Sequence, residues 1–217
     1  MTLKLAVLIS GRGSNLAAIV HAIDAGTCDA QILLVVSDRA DAVGLELARE
    51  RGIPTEIVRM RDYPDRATWD TALVTSVAAA QPELVVLAGF MRLLGRVFIE
   101  RFRQRVINVH PALLPLFPGT TGPAQALEAG VRVSGCSVHL VDNGVDTGPV
   151  IAQAVVPVLP SDDAQTLHAR IQSVEHVLLP RVIDAIAHGG IELAPALRVH
   201  SLPSSDTALF SLPERHK

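Results

Sequence analysis

The sequence predicts an α/β fold, with a Rossmann-like, mostly parallel sheet, helices on both faces and C-terminal strands that are partly antiparallel. Short aliphatic runs alternate with segments of helical periodicity through the first half of the chain. Hydrophobic residues make up 49% of the 217 residues but aromatic residues only 3%. That balance is typical of parallel strands buried on both faces, which have continuous aliphatic runs.

The order of the elements follows from these patterns. Strands are predicted over residues 3–9, 31–36, 55–58, 84–88, 106–109, 135–141 and 149–158. Helices are predicted over residues 15–26, 40–49, 64–80, 95–102, 124–129 and 164–189. The segment Ser161-Asp162-Asp163 provides an N-terminal cap for the last helix, and Pro180 is expected to kink it. We expect one domain over residues 1–200 and a tail over residues 201–217.

Composition narrows the class of partner. The formal net charge is −3 and charges of both signs are mixed along the chain, so the basic patch of a nucleic-acid-binding protein is not expected. The two cysteines, Cys28 and Cys136, cannot alone form a disulfide framework or a zinc site. The sequence has no signal-peptide pattern and no apolar stretch that could span a membrane. We therefore expect a cytoplasmic protein with small-molecule substrates, no metal, and a monomeric or homodimeric state.

A glycine-rich turn, Ser10–Leu16, joins the first strand to the first helix. Two glycines permit a tight turn, and a helix N-terminus offers unpaired N–H groups and a partial positive charge, which suit a phosphate. The third glycine of a dinucleotide motif and the P-loop lysine are both missing. An ordinary turn capped by Ser14 or Asn15 is an equally good interpretation.

The segment Asn108-Val109-His110-Pro111 ends another predicted strand. Asn108 and His110 share one face, about 7 Å apart, because side chains alternate along a strand. Pro111 turns the chain away at the carboxyl edge of the sheet, where ligands of such folds bind. A protonated histidine there can donate to an oxyanion or act as a general acid, and an asparagine can hold the same oxygen or an attacking amine. A strand-end histidine bonded to nearby backbone is the alternative.

An Asp/Asn/Gly turn, residues 142–149, joins the last two strands. Asp142 is the kind of residue that caps its own loop. Asp146 lies deeper in the turn, and if it approached His110 it would favour the imidazolium and raise the pKa of that histidine. The sequence leaves open whether the two side chains meet.

These segments, in this order, resemble the folate-dependent formyltransferases, and among them the glycinamide ribonucleotide transformylases of purine biosynthesis. The resemblance extends from about Leu5 to Gly190. It is carried by four motifs, at residues 9–16, 87–94, 107–115 and 144–149. It implies transfer of a formyl group from 10-formyltetrahydrofolate to the amine of 5-phosphoribosylglycinamide.

The same resemblance implies the site residues. Asn108, His110 and Asp146 align with the catalytic trio, and Gly13, Ser14 and Asn15 with the residues that hold the substrate phosphate. Folate-binding positions are implied at Arg66, Met91, Arg92, Leu93, Leu94, Val141, Asp142, Asn143, Gly144 and Val145. Glu175 aligns with a glutamate that contacts the ribonucleotide. The alternatives are an exposed helix-start arginine at Arg66 and a helix-surface charge at Glu175.

One stretch departs from the family pattern. After Pro118-Gly119 the family usually has a histidine and often a basic residue, whereas this chain has Thr120-Thr121-Gly122-Pro123-Ala124. A catalytically silent nucleotide-binding homologue is therefore one alternative. The others are relatives of formyltetrahydrofolate hydrolase, which carries an additional N-terminal domain, and of methionyl-tRNA formyltransferase, which carries an additional C-terminal domain.

Overall fold

The computed structural model describes residues 2–201 and 209–211 and confirms the predicted α/β architecture. The strands of this described part are β1 (Leu3–Ile9), β2 (Ala30–Ser37), β3 (Thr55–Ile57), β4 (Leu84–Leu87), β5 (Val106–His110), β6 (Val133–Leu140), β7 (Val150–Pro157), β8 (Ile191–Glu192), β9 (Arg198–Val199) and β10 (Leu209–Ser211). Its α-helices are α1 (Ser14–Asp24), α2 (Gly44–Glu50), α3 (Arg66–Ala79), α4 (Arg96–Arg101), α5 (Gly122–Glu128) and α6 (Ala164–Ala187).

Eight strands form one sheet in the order β10-β7-β6-β5-β4-β1-β2-β3. The pairs among β1 to β5 are parallel, whereas β6, β7 and β10 add to the sheet in antiparallel fashion. Strands β8 and β9 form a separate two-stranded sheet that the sequence patterns did not predict. The strand order reverses between β1 and β4, and in open α/β sheets ligands bind beyond the carboxyl ends of the strands at such a point.

Alternate residues of β1 face two different cores. Leu5, Val7 and Ile9 pack with residues of α1, α2, α5 and α6, whereas Ala6 and Leu8 pack with residues of α3 and α4. All five side chains are fully buried. The continuous aliphatic run of β1 is therefore explained by helices on both faces of the sheet.

The long helix α6 begins at the predicted cap. The Asp163 carboxylate accepts from the backbone N–H of Thr166 at 2.8 Å, and the Thr166 hydroxyl accepts from the N–H of Asp163 at 2.9 Å. This reciprocal arrangement is a capping box. The helix continues through Pro180 to Ala187 and packs along α1, which brings the middle of α6 beside the glycine-rich turn.

The tail expected from residue 201 lies mostly outside the described residues. Its segment Leu209–Ser211 pairs antiparallel with β7 at the edge of the sheet. Among the described helices, none has the length and apolar character needed to cross a membrane.

Candidate active site

The glycine-rich turn is shaped by close backbone contact. Gly13 has a left-handed φ of 74°, and a Cβ there would lie 2.7 Å from the Cα of Gly44. The N–H of Gly44 also donates to the carbonyl oxygen of Gly11 at 3.1 Å. No side chain caps the N-terminus of α1, which contradicts the interpretation of a turn capped by Ser14 or Asn15. The first N–H groups of α1 therefore receive no capping side chain.

Asn15 instead bonds across to α6. Its Nδ2 donates to Glu175 Oε2 at 3.2 Å, and Asn15 Oδ1 is buried without a partner in the described part of the chain. Glu175 is only 3% exposed, so the interpretation of a helix-surface charge is wrong. Burial raises the pKa of Glu175, and the hydrogen bond from Asn15 offsets part of that rise.

Ser10 joins the glycine-rich turn to the segment after β4. Its N–H donates to the carbonyl oxygen of Gly89 at 3.1 Å, and its hydroxyl accepts from the N–H of Met91 at 2.8 Å. Met91 is held by its backbone, although the residue is 67% exposed. The two segments therefore form one connected edge at the reversal of strand order.

Two strands and the turn after β6 bring four polar side chains together. Asn108 and His110 share a face of β5, and Asp146 Oδ2 lies 3.4 Å from His110 Nδ1. Asp146 Oδ1 lies 3.6 Å from Nε2 of His139, which is 3.1 Å from Asn108 Nδ2. The meeting of His110 and Asp146, which the sequence left open, is therefore present in the fold.

His139 is the member of this cluster that the sequence patterns missed. It lies directly opposite Asn108 in the antiparallel pairing of β5 and β6. Its Nδ1 lies 2.9 Å from the carbonyl oxygen of Leu140, so Nδ1 carries a proton and Nε2 can accept from the Asn108 amide. A histidine among the small and apolar residues of β6 is the available signal.

Burial lowers the pKa of His110, and the Phe117 carbonyl and Asp146 offset only part of this effect. The expectation that Asp146 raises the pKa of His110 above its ordinary value is therefore corrected: desolvation outweighs the carboxylate. For Asp146, burial alone would raise the pKa, but His139, the Gly119 N–H and His110 together lower it. The resting site thus pairs an ionised carboxylate with a histidine that favours its neutral form.

The chain after β5 covers both groups. His110 Nε2 donates to the carbonyl oxygen of Phe117 at 2.8 Å, and the N–H of Gly119 donates to Asp146 Oδ2 at 2.8 Å. Phe117 and Asp146 both have left-handed backbones, with φ of 57° and 54°. Such conformations cost energy in residues other than glycine and concentrate at functional sites. His110 is only 3% exposed as a result.

A cavity of about 330 Å³ opens beside this cluster. Its lining includes most of the predicted folate-binding residues together with three members of the polar cluster: Arg66, Leu87, Phe90, Arg92, Leu93, Leu94, Asn108, His139, Val141, Asp142, Asn143, Gly144, Val145 and Asp146. Met91, His110, Glu175 and residues 13–15 lie outside that lining. Its volume and its mixture of apolar and polar groups suit a flat heterocycle.

Arg66 is an exposed residue at the start of α3, as the alternative expected, and it also lines this cavity. Its Nε donates to Asp70 Oδ1 at 3.0 Å, its Nη2 bonds the carbonyl oxygen of Leu93, and its guanidinium lies 4.9 Å from the centre of the Trp69 ring. A larger groove, of about 800 Å³, lies between β3 and α3 and contains none of the predicted site residues. In the described residues, no group of three or more His, Cys, Asp or Glu side chains is arranged to hold a metal ion.

Comparison with known proteins agrees with this geometry. A family model described as "Formyl transferase" matches residues 3–183. The chain is 48% identical over 188 residues to "Phosphoribosylglycinamide formyltransferase" of Mycobacterium tuberculosis, covering 87% of this chain and 86% of that protein. It is also 48% identical over 190 residues to "Trifunctional purine biosynthetic protein adenosine-3" of Drosophila pseudoobscura, of which it spans only 14%.

Solved structures of formyltransferases are similar to this chain over most of its length. The crystal structure of glycinamide ribonucleotide transformylase 1 from Symbiobacterium toebii superposes with a TM-score of 0.88 at 42% identity, covering 92% of this chain and 95% of that one. The Coxiella burnetii phosphoribosylglycinamide formyltransferase gives a TM-score of 0.85 at 38% identity, with 92% and 97% coverage. The chain belongs to the formyl transferase family.

Proposed function

We propose that this chain transfers the formyl group of 10-formyltetrahydrofolate to the amine of 5-phosphoribosylglycinamide in de novo purine biosynthesis. The observation that carries the proposal is the His110–Asp146 pair, 3.4 Å apart, in which Asp146 lines the 330 Å³ cavity together with Asn108 and His110 lies buried behind it. The 48% identity to a mycobacterial phosphoribosylglycinamide formyltransferase, over most of both chains, supports the choice of substrates.

The ribonucleotide would bind along the glycine-rich turn. The uncapped N-terminus of α1 supports a phosphate site at Gly13, Ser14 and Asn15. Glu175, bonded to Asn15, would contact the glycinamide end of the same substrate. A buried carboxylate with one amide partner suits a substrate that brings its own N–H donors.

The folate would occupy the cavity. Leu93, Leu94, Val141 and Val145 offer apolar walls for the pterin ring, and residues 142–144 line the same space. The guanidinium groups of Arg66 and Arg92 reach the rim, each with a side chain close to half exposed. Arginine at such a rim suits the carboxylates of a folate.

The chemistry follows from the polar cluster. The substrate amine attacks the formyl carbon, and the carbonyl oxygen becomes an oxyanion that the Asn108 amide can stabilise. His110, neutral at rest, takes the proton that the amine loses. The new imidazolium is stabilised by Asp146 and returns that proton to the folate nitrogen as its bond to the formyl carbon breaks. One proton leaves the amine and one reaches the folate, so the step balances.

An assay with three different formyl acceptors distinguishes this proposal from its alternatives. The purified protein is offered 10-formyltetrahydrofolate with phosphoribosylglycinamide, with methionyl-tRNA, or with water alone, and release of tetrahydrofolate is followed. Rapid turnover with the ribonucleotide alone supports the proposal; hydrolysis, transfer to tRNA or no turnover refutes it. His110→Ala is expected to lose at least about a hundredfold in turnover, and near-normal turnover would exclude His110 from this role.

A single formyltransferase domain over residues 1–200, a cytoplasmic location and a monomeric or homodimeric state belong to the same proposal. Light scattering of the purified chain would measure the oligomeric state.

A further inference from the structure

Asp38 is a buried carboxylate that the proposed mechanism does not use. It follows β2, and its side chain is only 2% exposed. Oδ2 accepts from Arg92 Nε at 2.7 Å, but Oδ1 is buried without a partner in the described part of the chain. Burying a carboxylate whose second oxygen is unpaired costs stability. We therefore expect Asp38 to have a functional role that offsets this cost.

The contact with Arg92 crosses the reversal point of the sheet. Arg92 belongs to the segment after β4, and β1 lies between β4 and β2. The guanidinium is held at Nε, while its side chain remains 44% exposed and lines the cavity beside Asn143 and Gly144. Asp38 therefore holds the guanidinium of Arg92 through Nε, and Arg92 itself lines the cavity.

The backbone of the same segment has its own anchors. The N–H of Met91 donates to Ser10, and the carbonyl oxygen of Leu93 accepts from Arg66. Gly95 packs so closely on Asp70 that a Cβ there would lie 2.0 Å from the carboxylate. Because these contacts do not involve Asp38, its loss would free the Arg92 side chain without releasing the segment.

We propose that Asp38 is a positioning residue for the folate substrate, which it serves by fixing the Arg92 guanidinium at the wall of the cavity. This inference rests on the proposed function, because it assigns the occupant of the cavity. The proposed role differs from a structural one. Because the Arg92 side chain is nearly half exposed, its charge stays solvated when the carboxylate is neutralised, and no unpaired buried cation results.

Asp38→Asn tests the inference. The KM for 10-formyltetrahydrofolate is expected to rise about tenfold, the loss that follows when one charge-assisted hydrogen bond no longer orders the guanidinium. The kcat and the KM for phosphoribosylglycinamide are expected to stay within about twofold of wild type. The Tm is expected to stay level or rise, because a neutral amide costs less to bury than a carboxylate.

Asp41→Asn is the matched control. Asp41 lies in the same connection, and its carboxylate pairs with Arg39 at 2.9 Å, but both side chains are exposed. This variant is expected to leave both KM values unchanged. In an Arg92→Ala background, Asp38→Asn is expected to add no further rise in the folate KM, because Asp38 acts through Arg92.

Several results would overturn the inference. An unchanged folate KM in Asp38→Asn would do so, as would a lower Tm with both KM values raised in parallel, which marks a structural role. Binding of tetrahydrofolate, measured by calorimetry, separates this inference from the proposed function. If the wild type binds tetrahydrofolate but transfers no formyl group, the proposed function fails, whereas weaker binding by Asp38→Asn would still support the inference. A wild type that binds no tetrahydrofolate refutes both.

Discussion

Asp146→Asn removes the negative charge beside His110 while keeping the shape of the side chain. Two unit charges 3.4 Å apart attract by about 5 kcal/mol at an effective dielectric constant of about 20. We take this value as the upper end of the stabilisation that the carboxylate gives to the imidazolium. Loss of one transition-state contact typically costs about 3 kcal/mol, which sets the lower bound. The kcat of the variant is therefore expected to fall by about 10²- to 10⁴-fold.

Initial rates of formyl transfer with both substrates saturating measure this effect directly. Asp24→Asn is a suitable control, because Asp24 lies at the end of α1 in an exposed pair with Arg51. The amide oxygen at position 146 can still accept from the Gly119 N–H, so the covering segment keeps its anchor. A variant that folds normally and retains kcat within tenfold of wild type would refute the assignment of Asp146 to charge stabilisation.

Two further variants test the ribonucleotide side of the site. Burial raises the pKa of Glu175 in the folded protein. The free energy of unfolding of wild type is therefore expected to fall as the pH rises through that pKa, because the buried side chain then becomes charged. Glu175→Gln does not titrate at this position, so the Tm of the variant minus that of wild type is expected to be larger at pH 8 than at pH 5. An equal difference at both pH values in calorimetry would contradict this. Gly13→Ala places a Cβ 2.7 Å from Gly44 Cα at a φ of 74° and is expected to lower the Tm and raise the ribonucleotide KM at least about tenfold. Gly11→Ala, whose Cβ meets nothing within 4 Å, is its control and is expected to change neither; equal effects in the two variants would count against the close approach.

The elements that the sequence predicted well are those defined by long apolar patterns. Helix α2 is an element for which the apolar pattern is not sufficient. The pattern predicts a helix from residue 40, whereas the helix begins at Gly44. The N–H of Arg39 donates to the Ser37 hydroxyl at 3.1 Å, and the Arg39 side chain pairs with Asp41. Local side-chain bonds of this kind compete with helix formation. Strands β8 and β9, with two residues each, are too short to show any period.

The features of the site that could be predicted from the sequence are those set by a single strand or turn. The alternation along β5 places Asn108 and His110 on one face without further information. The contact of His139 with Asn108 depends on the register of β5 against β6, and the Asp146 contact joins residues far apart in the chain. The sign of the His110 pKa shift depends on burial beneath the segment that carries Phe117. None of these three follows from local spacing.

The lowered pKa of His110 agrees with its proposed task better than a raised one would. A base must be neutral at working pH before it can take a proton from the substrate amine, and its conjugate acid must then be strong enough to protonate the leaving folate nitrogen. Burial supplies the first property, and Asp146, 3.4 Å away, limits how far the imidazolium is destabilised. In the neutral ring, Nε2–H can donate to the Phe117 carbonyl, and the Nδ1 lone pair then faces the ionised Asp146 carboxylate, whose repulsion favours protonation of Nδ1. A proton gained at Nδ1 is therefore stabilised at once by the carboxylate, so burial and charge act on successive steps of one transfer.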